Sequence, residues 1–156
     1  MRLTLNIDFD KINVIPAQKD NEDHKKGILK VFNENIKYFH LTKEPVSYED
    51  HSKWWAQAFI DEFIYVIIYE KEITGYIRLT KYKKETKEEN EISIAISEKF
   101  QKSGFGTHAY QLFESEMKKI GINKIIAITE RDNVLGQRFF EKNKFKKILY
   151  RYVKII

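Results

Sequence analysis

Between residues 91 and 130 the chain sets out one folding unit with both ends marked. The run Glu91-Ile92-Ser93-Ile94-Ala95-Ile96-Ser97 alternates. As a strand it puts Ile92, Ile94 and Ile96 on one face and Glu91, Ser93, Ala95 and Ser97 on the other. A loop follows, Gln101-Lys102-Ser103-Gly104-Phe105-Gly106-Thr107, and then Phe105, Ala109, Leu112, Phe113, Met117 and Ile120 recur on one helical face. Lys118 and Lys119 suit the last helical turn, and Gly121 fits the left-handed position just past it. "NKIIAITE", residues 123–130, reads as a second strand. A strand–helix–strand crossover is right-handed, so these two strands are expected to lie parallel in one sheet. The chain is therefore expected to be mixed α/β.

The remaining segments extend that plan. Residues 2–9 and 12–17 read as short strands with a turn near Asp10-Lys11. Residues 22–39 carry Ile28, Phe32, Ile36 and Phe39 at helical spacing, with Asp20 or Asn21 as the cap. "VSYEDHSKWWAQAF" reads as a second helix capped by Ser47, with Asp50 completing a capping-box-like pattern and His51, Trp55, Ala58 and Phe59 sharing a face. Residues 63–70 and 73–82 form a hairpin turning near Lys71-Glu72, and the charge run 83–90 reads as a solvated turn. A short helix over 132–142, packing through Leu135, Phe139 and Phe140, precedes a last strand from Phe145 onward. Residues 1–156 thus read as a single domain, with about seven strands in a central mixed sheet and about four helices around it.

Composition removes several chemistries. With no cysteine among 156 residues there is no disulfide, no thiolate zinc site and no cysteine nucleophile. The histidines at 24, 40, 51 and 108 show no metal-ligand spacing, so no metal is expected. No apolar run nears the roughly 20 residues that span a bilayer. The first residues carry acids where a signal peptide has its apolar core. A cytoplasmic protein without membrane association is expected. The net charge of +5 favours anionic partners. Lys142, Lys144, Lys146, Lys147, Arg151 and Lys154 cluster late in the chain but match no nucleic-acid reader, so no nucleic acid is expected.

The loop at 101–107 has a physical reading of its own. A helix begins with amides that lack intrahelical partners, and its dipole is positive there. Glycines let the backbone approach an anion, so Gly104 and Gly106 suit a phosphate cradle, with Lys102, Ser103 and Thr107 adding donors. Neither the P-loop pattern nor the three-glycine dinucleotide fingerprint is present. A tight turn with no ligand fits the same two glycines.

Context beyond the loop narrows the choice. Gln101-Lys102-Ser103-Gly104-Phe105-Gly106 resembles the [Q/R]-x-x-G-x-[G/A] pyrophosphate loop of the GNAT N-acetyltransferases. "DNVLGQRFFEKNKF" is similar to that family's N-x-x-A-x-x-F-Y-E-K-x-G-F segment through Asn133, Phe139, Glu141, Lys142 and Phe145. The resemblance implies a GNAT fold with splayed parallel central strands. It also implies acetyl-CoA as cosubstrate and direct transfer to a small-molecule amine. By match, pantetheine lies along the backbone of Ile94, Ala95 and Ile96, and the pyrophosphate rests on amides of Gln101 through Thr107. Asn133 touches the pantetheine arm while also suiting a helix cap, and Phe139 and Phe140 flank the cofactor.

Two positions depart from the family pattern. Phe140 stands where many members carry a tyrosine that protonates the leaving thiolate; either Tyr110, Tyr150 or Tyr152 supplies the hydroxyl, or the thiolate leaves without help. Lys144 stands for the usual glycine, with Asn143 the alternative site for the turn. Glu89 and Glu91 lie where several members place a base; Glu91 is the candidate, and Ser97, on the same strand face, is a further catalytic candidate.

"VSYEDHSKWWAQAF" resembles, through Ser47, Glu49, His51, Trp54 and Trp55, a subgroup acting on nucleotide-linked amino sugars, as in pseudaminic acid synthesis, or on protein N-termini. His51 is then an acceptor contact or base, or a packing histidine. Asn33-Glu34 stands where that subgroup has an arginine–asparagine pair. A nucleotide-linked amino sugar is the favoured acceptor. A peptide N-terminus, a polyamine, or acyl-CoA binding without turnover are the alternatives, and a monomer or homodimer is expected.

Overall fold

Long β-branched and aromatic runs build the centre of the fold. In a computed structural model that describes residues 5–39, 42–84, 87–148 and 154–155, β1 (Asn13–Pro16), β2 (Glu62–Tyr69), β3 (Glu72–Lys84) and β4 (Lys87–Ile96) pair antiparallel in that order. Alternation divides their side chains between two cores. Ile67, Ile77, Leu79 and Ile92 meet Phe105, Ala109, Phe113 and Met117 of α3 (Phe105–Lys119) on one face. Ile64, Val66, Tyr76 and Ala95 meet Ile28 and Val31 of α1 (Glu22–Glu34) and Trp55 and Ala58 of α2 (Tyr48–Asp61) on the other. A short α4 (Val134–Lys142) lays Phe139 and Phe140 against the α3 side.

Four helices are present among the described residues, as expected, but the sheet is smaller than expected. Instead of about seven strands with a parallel centre, the described residues form a sheet of four strands, all antiparallel. Residues 5–8 form no strand, because the Asp8 carboxylate accepts from the Asp10 amide and starts a 3-10 turn, Phe9–Lys11. Residues 1–4 lie outside the described part. The segment 123–130 touches β4 at one parallel bridge, Glu91 with Ile126. There the Ile92 amide donates to the Ile126 carbonyl (2.9 Å) and the Ile126 amide to the Asn90 carbonyl (2.8 Å). Beyond this rung the two segments part, and Ile128 is 58% exposed. Phe145 to Ile148 take no regular structure, and 149–153 and 156 lie outside the described residues.

Smaller differences have local causes. The β2–β3 turn falls on Glu70-Lys71, both with positive φ, so Tyr69 pairs with Glu72 across a two-residue loop. The charge run is not all turn, since Lys84 still pairs with Lys87. The first helix stops at Glu34. Its C-cap Asn35 donates to the Val31 carbonyl, and a 3-10 turn, Ile36–Tyr38, continues the chain.

Two helix ends use the same hydrogen bonds. After α3, the Ile122 amide bonds the Met117 carbonyl and the Gly121 amide bonds Lys118, with Gly121 at φ 85°. After α4, the Phe145 amide bonds the Phe140 carbonyl and the Lys144 amide bonds Glu141, with Lys144 at φ 69°. The left-handed position after α4 is therefore Lys144, and Asn143 caps the helix with negative φ.

Candidate active site

Where β4 and residues 127–130 part, a cleft of about 510 Å³ opens. Its walls include β4 from Glu91 to Ile96, the glycine loop, the start of α4 and the C-terminal end of α1. Backbone alternation shows what β4 presents to it. The Ile92 amide and Asn90 carbonyl point away from β3, toward 126, so the Ile94 amide and carbonyl point the same way, into the gap. Ala95 turns its main chain toward Tyr76 on β3, and the Ile96 carbonyl accepts from Asn35 (3.0 Å) and Gln101 (2.8 Å).

The start of α3 differs from the other helix starts. Asn21, Ser47 and Asn133 cap α1, α2 and α4 with side-chain oxygens. Gly104 caps α3 with none, at φ 84°, where a Cβ is strained. The Phe105 amide reaches the Ser103 hydroxyl (3.4 Å), while Gly106 and Thr107 of the first turn line the cleft at the positive helix end. A Cβ on Gly106 would sit 3.3 Å from Ile96 Cγ1 and 3.5 Å from Phe139 Cε2, so the missing side chain keeps the passage open. Lys102, Arg138 and Lys142 line the same end and give it positive charge. The donors, the charge and the open passage fit a diphosphate leading into a narrow arm.

Asn35 and Gln101 hold the loop in place. Asn35 is buried, and besides its bonds to Val31 and Ile96 its side-chain oxygen accepts from Gln101 Nε2 (3.0 Å). Asn133 accepts from the Gly136 amide (2.9 Å) and reaches the Tyr38 carbonyl (3.4 Å) while lining the cleft.

Other walls are made of side chains: Tyr76 and Arg78 of β3 and Glu91 and Ser93 of β4, with Phe32, Tyr38 and Phe39 around the end of α1. Burial pushes the Tyr76 hydroxyl well above the usual phenol range, so it keeps its proton. The Arg78 guanidinium lies 5.1 Å from the Trp54 ring centre, and its Nε is 3.6 Å from a Glu62 carboxylate oxygen. Burial raises the Glu62 carboxyl above its ordinary value, and Arg78 opposes that rise.

Of the residues singled out from sequence, Glu91, Ile94, Ala95, Ile96, Gln101, Lys102, Gly104, Gly106, Thr107, Asn133, Phe139 and Phe140 line the cleft. Four others lie elsewhere. Phe105 is fully buried in the α3 core. Ser103 donates back to the Phe100 carbonyl. Ser97 donates to the Glu34 carboxylate (2.9 Å). His51, 5% exposed between α1 and α2, donates Nε2–H to the Lys25 carbonyl (2.8 Å). Burial lowers its pKa, which keeps the ring neutral.

Among the three tyrosines considered as proton donors, Tyr150 and Tyr152 lie outside the described residues. Tyr110 packs on Phe139 and Phe145 and lines a separate groove of about 880 Å³ beneath α4 that does not include the glycine loop. Asn35, Tyr38, Tyr76 and Arg78 were missed. Arg78 had a signal: it is the one charged residue in "ITGYIRLT".

Comparison with known proteins agrees with this geometry. The family model described as "Acetyltransferase (GNAT) family" matches residues 28–145. An uncharacterized protein of Methanocaldococcus jannaschii is 24% identical over an aligned stretch of 149 residues that covers 86% of this chain. The match covers 31% of that curated relative's length. The crystal structure of a domain from M. jannaschii superposes with a TM-score of 0.74 at 21% identity, over 88% of this chain and 90% of that one. An N-acetyltransferase structure from Staphylococcus aureus Mu50 gives 0.70 at 18% identity, over 86% and 83%.

Proposed function

Since the chain belongs to the GNAT acetyltransferase family and is an acyltransferase, we propose that it transfers the acetyl group of acetyl-CoA directly to a primary amine within a ternary complex, with a nucleotide-linked amino sugar as the favoured acceptor. The observation that carries the reading is the continuity of one cleft, from the uncapped start of α3 to Glu91 and Arg78 on the other sheet face. GNAT acetyltransferases use acetyl-CoA. Here the amides of Gly104, Gly106 and Thr107, with Lys102 and Arg138 beside them, take its diphosphate. The Ile94 amide and carbonyl run along its pantetheine arm, where a longer parallel ladder would have filled the gap.

Chemistry asks for a neutral amine, a stabilised oxyanion and a proton for the departing thiolate. The chain has no cysteine to carry an acyl group, which supports direct transfer. Glu91, held at the mouth of the gap by the bridge to Ile126, takes the proton of the attacking nitrogen, directly or through a water. Phe140 offers no proton, and the cleft's phenols are instead Tyr38 and Tyr76. Burial makes Tyr76 a weaker acid than a free phenol, so its hydroxyl keeps its proton and steadies the departing sulfur by donating a hydrogen bond.

The test is thiol release from acetyl-CoA against a panel of amines. Release with 4-amino-sugar nucleotides supports the assignment. Release with peptides or polyamines alone removes the sugar from it.

A further inference from the structure

Arg78 carries more than a wall of the cleft requires. It pairs across the sheet with Ser93, next to Tyr76 on the same face, and Trp54 lies under its guanidinium and fixes its plane. Its Nε is buried and has no hydrogen-bond partner, and the facing Glu62 oxygen is likewise buried and without one. At 3.6 Å the two share charge but no hydrogen bond. The guanidinium is a planar fork of donors made for two-point contact with an oxyanion, and Glu62 does not supply that contact.

We propose that Arg78 sets acceptor specificity by binding a phosphate carried on the amine substrate. The proposal rests on the acetyltransferase reading and refines it. Glu91 lies two residues along β4 from Ser93, the partner of Arg78, so the two charged groups start roughly 7 Å apart along the strand direction. An amine at Glu91 and a phosphate at Arg78 are then separated by about one pyranose ring. Phe32, Tyr38 and Phe39 supply apolar and hydroxyl surface for that ring. A 4-amino sugar with its phosphate on the anomeric carbon has this shape.

The test compares kcat/KM for three acceptors: a 4-amino-sugar nucleotide, the methyl glycoside of the same amino sugar, and an α-amino acid as a carboxylate-bearing amine. The expected result is a preference of at least about tenfold for the phosphate over the glycoside, expressed in KM. Arg78→Gln brings that ratio close to one, and Arg78→Lys restores part of it. Because Arg78→Gln leaves Glu62 buried without a counter-charge, Glu62→Gln/Arg78→Gln is measured beside it, with the thermal midpoint as the folding control. Equal wild-type rates for the phosphate and the glycoside overturn the proposal, as does preference for the amino acid. Titration of uridine diphosphate into CoA-saturated protein reads the contact without turnover: heat lost in Arg78→Gln supports it, and no binding to wild type overturns it. Uptake of CoA in the first step is scored separately, so the cofactor site and the Arg78 contact fail independently.

Discussion

At the α3 end of the cleft main-chain amides face a ligand, with the charges of Lys102, Arg138 and Lys142 beside them, and at the Arg78 end the groups are side chains drawn from three elements. The first end is fixed by the backbone: Gly104 holds a left-handed angle, and Gly106 leaves room between Ile96 and Phe139. The second depends on which side chains β3, β4 and the end of α1 bring to one face. A site made of amides tolerates much sequence change but little added volume. A site made of side chains changes its ligand when one residue changes. One cleft can thus keep its cofactor constant and vary its acceptor.

That contrast can be broken most sharply by volume. Gly106→Leu places a branched side chain between Ile96 and Phe139 and should lower acetyl-CoA affinity about 100-fold or more, close to 3 kcal/mol, by calorimetry. The circular dichroism spectrum should be retained. Binding left intact by Gly106→Leu would mean the cofactor does not pass there. At the acceptor end, Glu91→Gln should cost about 100-fold in kcat while acetyl-CoA affinity stays within twofold. A fall in cofactor affinity instead would move Glu91 from the chemistry to the binding of CoA.

How much of this was legible follows the same division. The glycine loop, Asn133 and the turn at Gly121 were readable because each is local: a few consecutive residues dictate an angle, a cap or a set of free amides. Arg78, Tyr76, Tyr38 and Asn35 were not, since their proximity depends on the pairing of β3 with β4 and on where α1 stops. His51 fell on the expected helix but faces the α1–α2 seam, while Ser97 lies just past the end of β4 and is tied to Glu34. The strand count was overestimated because alternation shows that a segment is extended, not that it finds a ladder. Residues 123–130 are such a case, leaving β4 after one rung.

Two smaller effects lie outside the cleft and serve as controls on it. Lys144 and Gly121 occupy the same position in the same helix-ending motif, and only Lys144 carries a Cβ at positive φ. Lys144→Gly should stabilise the fold by about 1 kcal/mol, a rise of a few degrees in Tm. An unchanged or lower Tm would show that Lys144 gains more from its side chain than it loses in strain.

The smallest effect expected is in pH. Burial lowers the pKa of both His24 and His51 from 6.5, so below that pH the unfolded chain binds protons that the folded chain resists. Stability present above pH 6.5 is therefore lost as pH falls through 6.5 toward the lowered folded values. The urea midpoint should drop between pH 7.5 and 5.5, and drop less in His51→Gln. Acetyl-CoA affinity should not follow that substitution.

The central claim is that the amides at the start of α3 and along the gap-facing edge of β4 form one binding surface. Titration of acetyl-CoA into the isotopically labelled protein, followed by amide resonances, tests it most directly. The account predicts saturable shifts concentrated at Ile94, Gly104, Gly106, Thr107 and the Asn133 side chain. Shifts gathered instead around residues 118–127 and 144–148, which line the groove beneath α4, would contradict it.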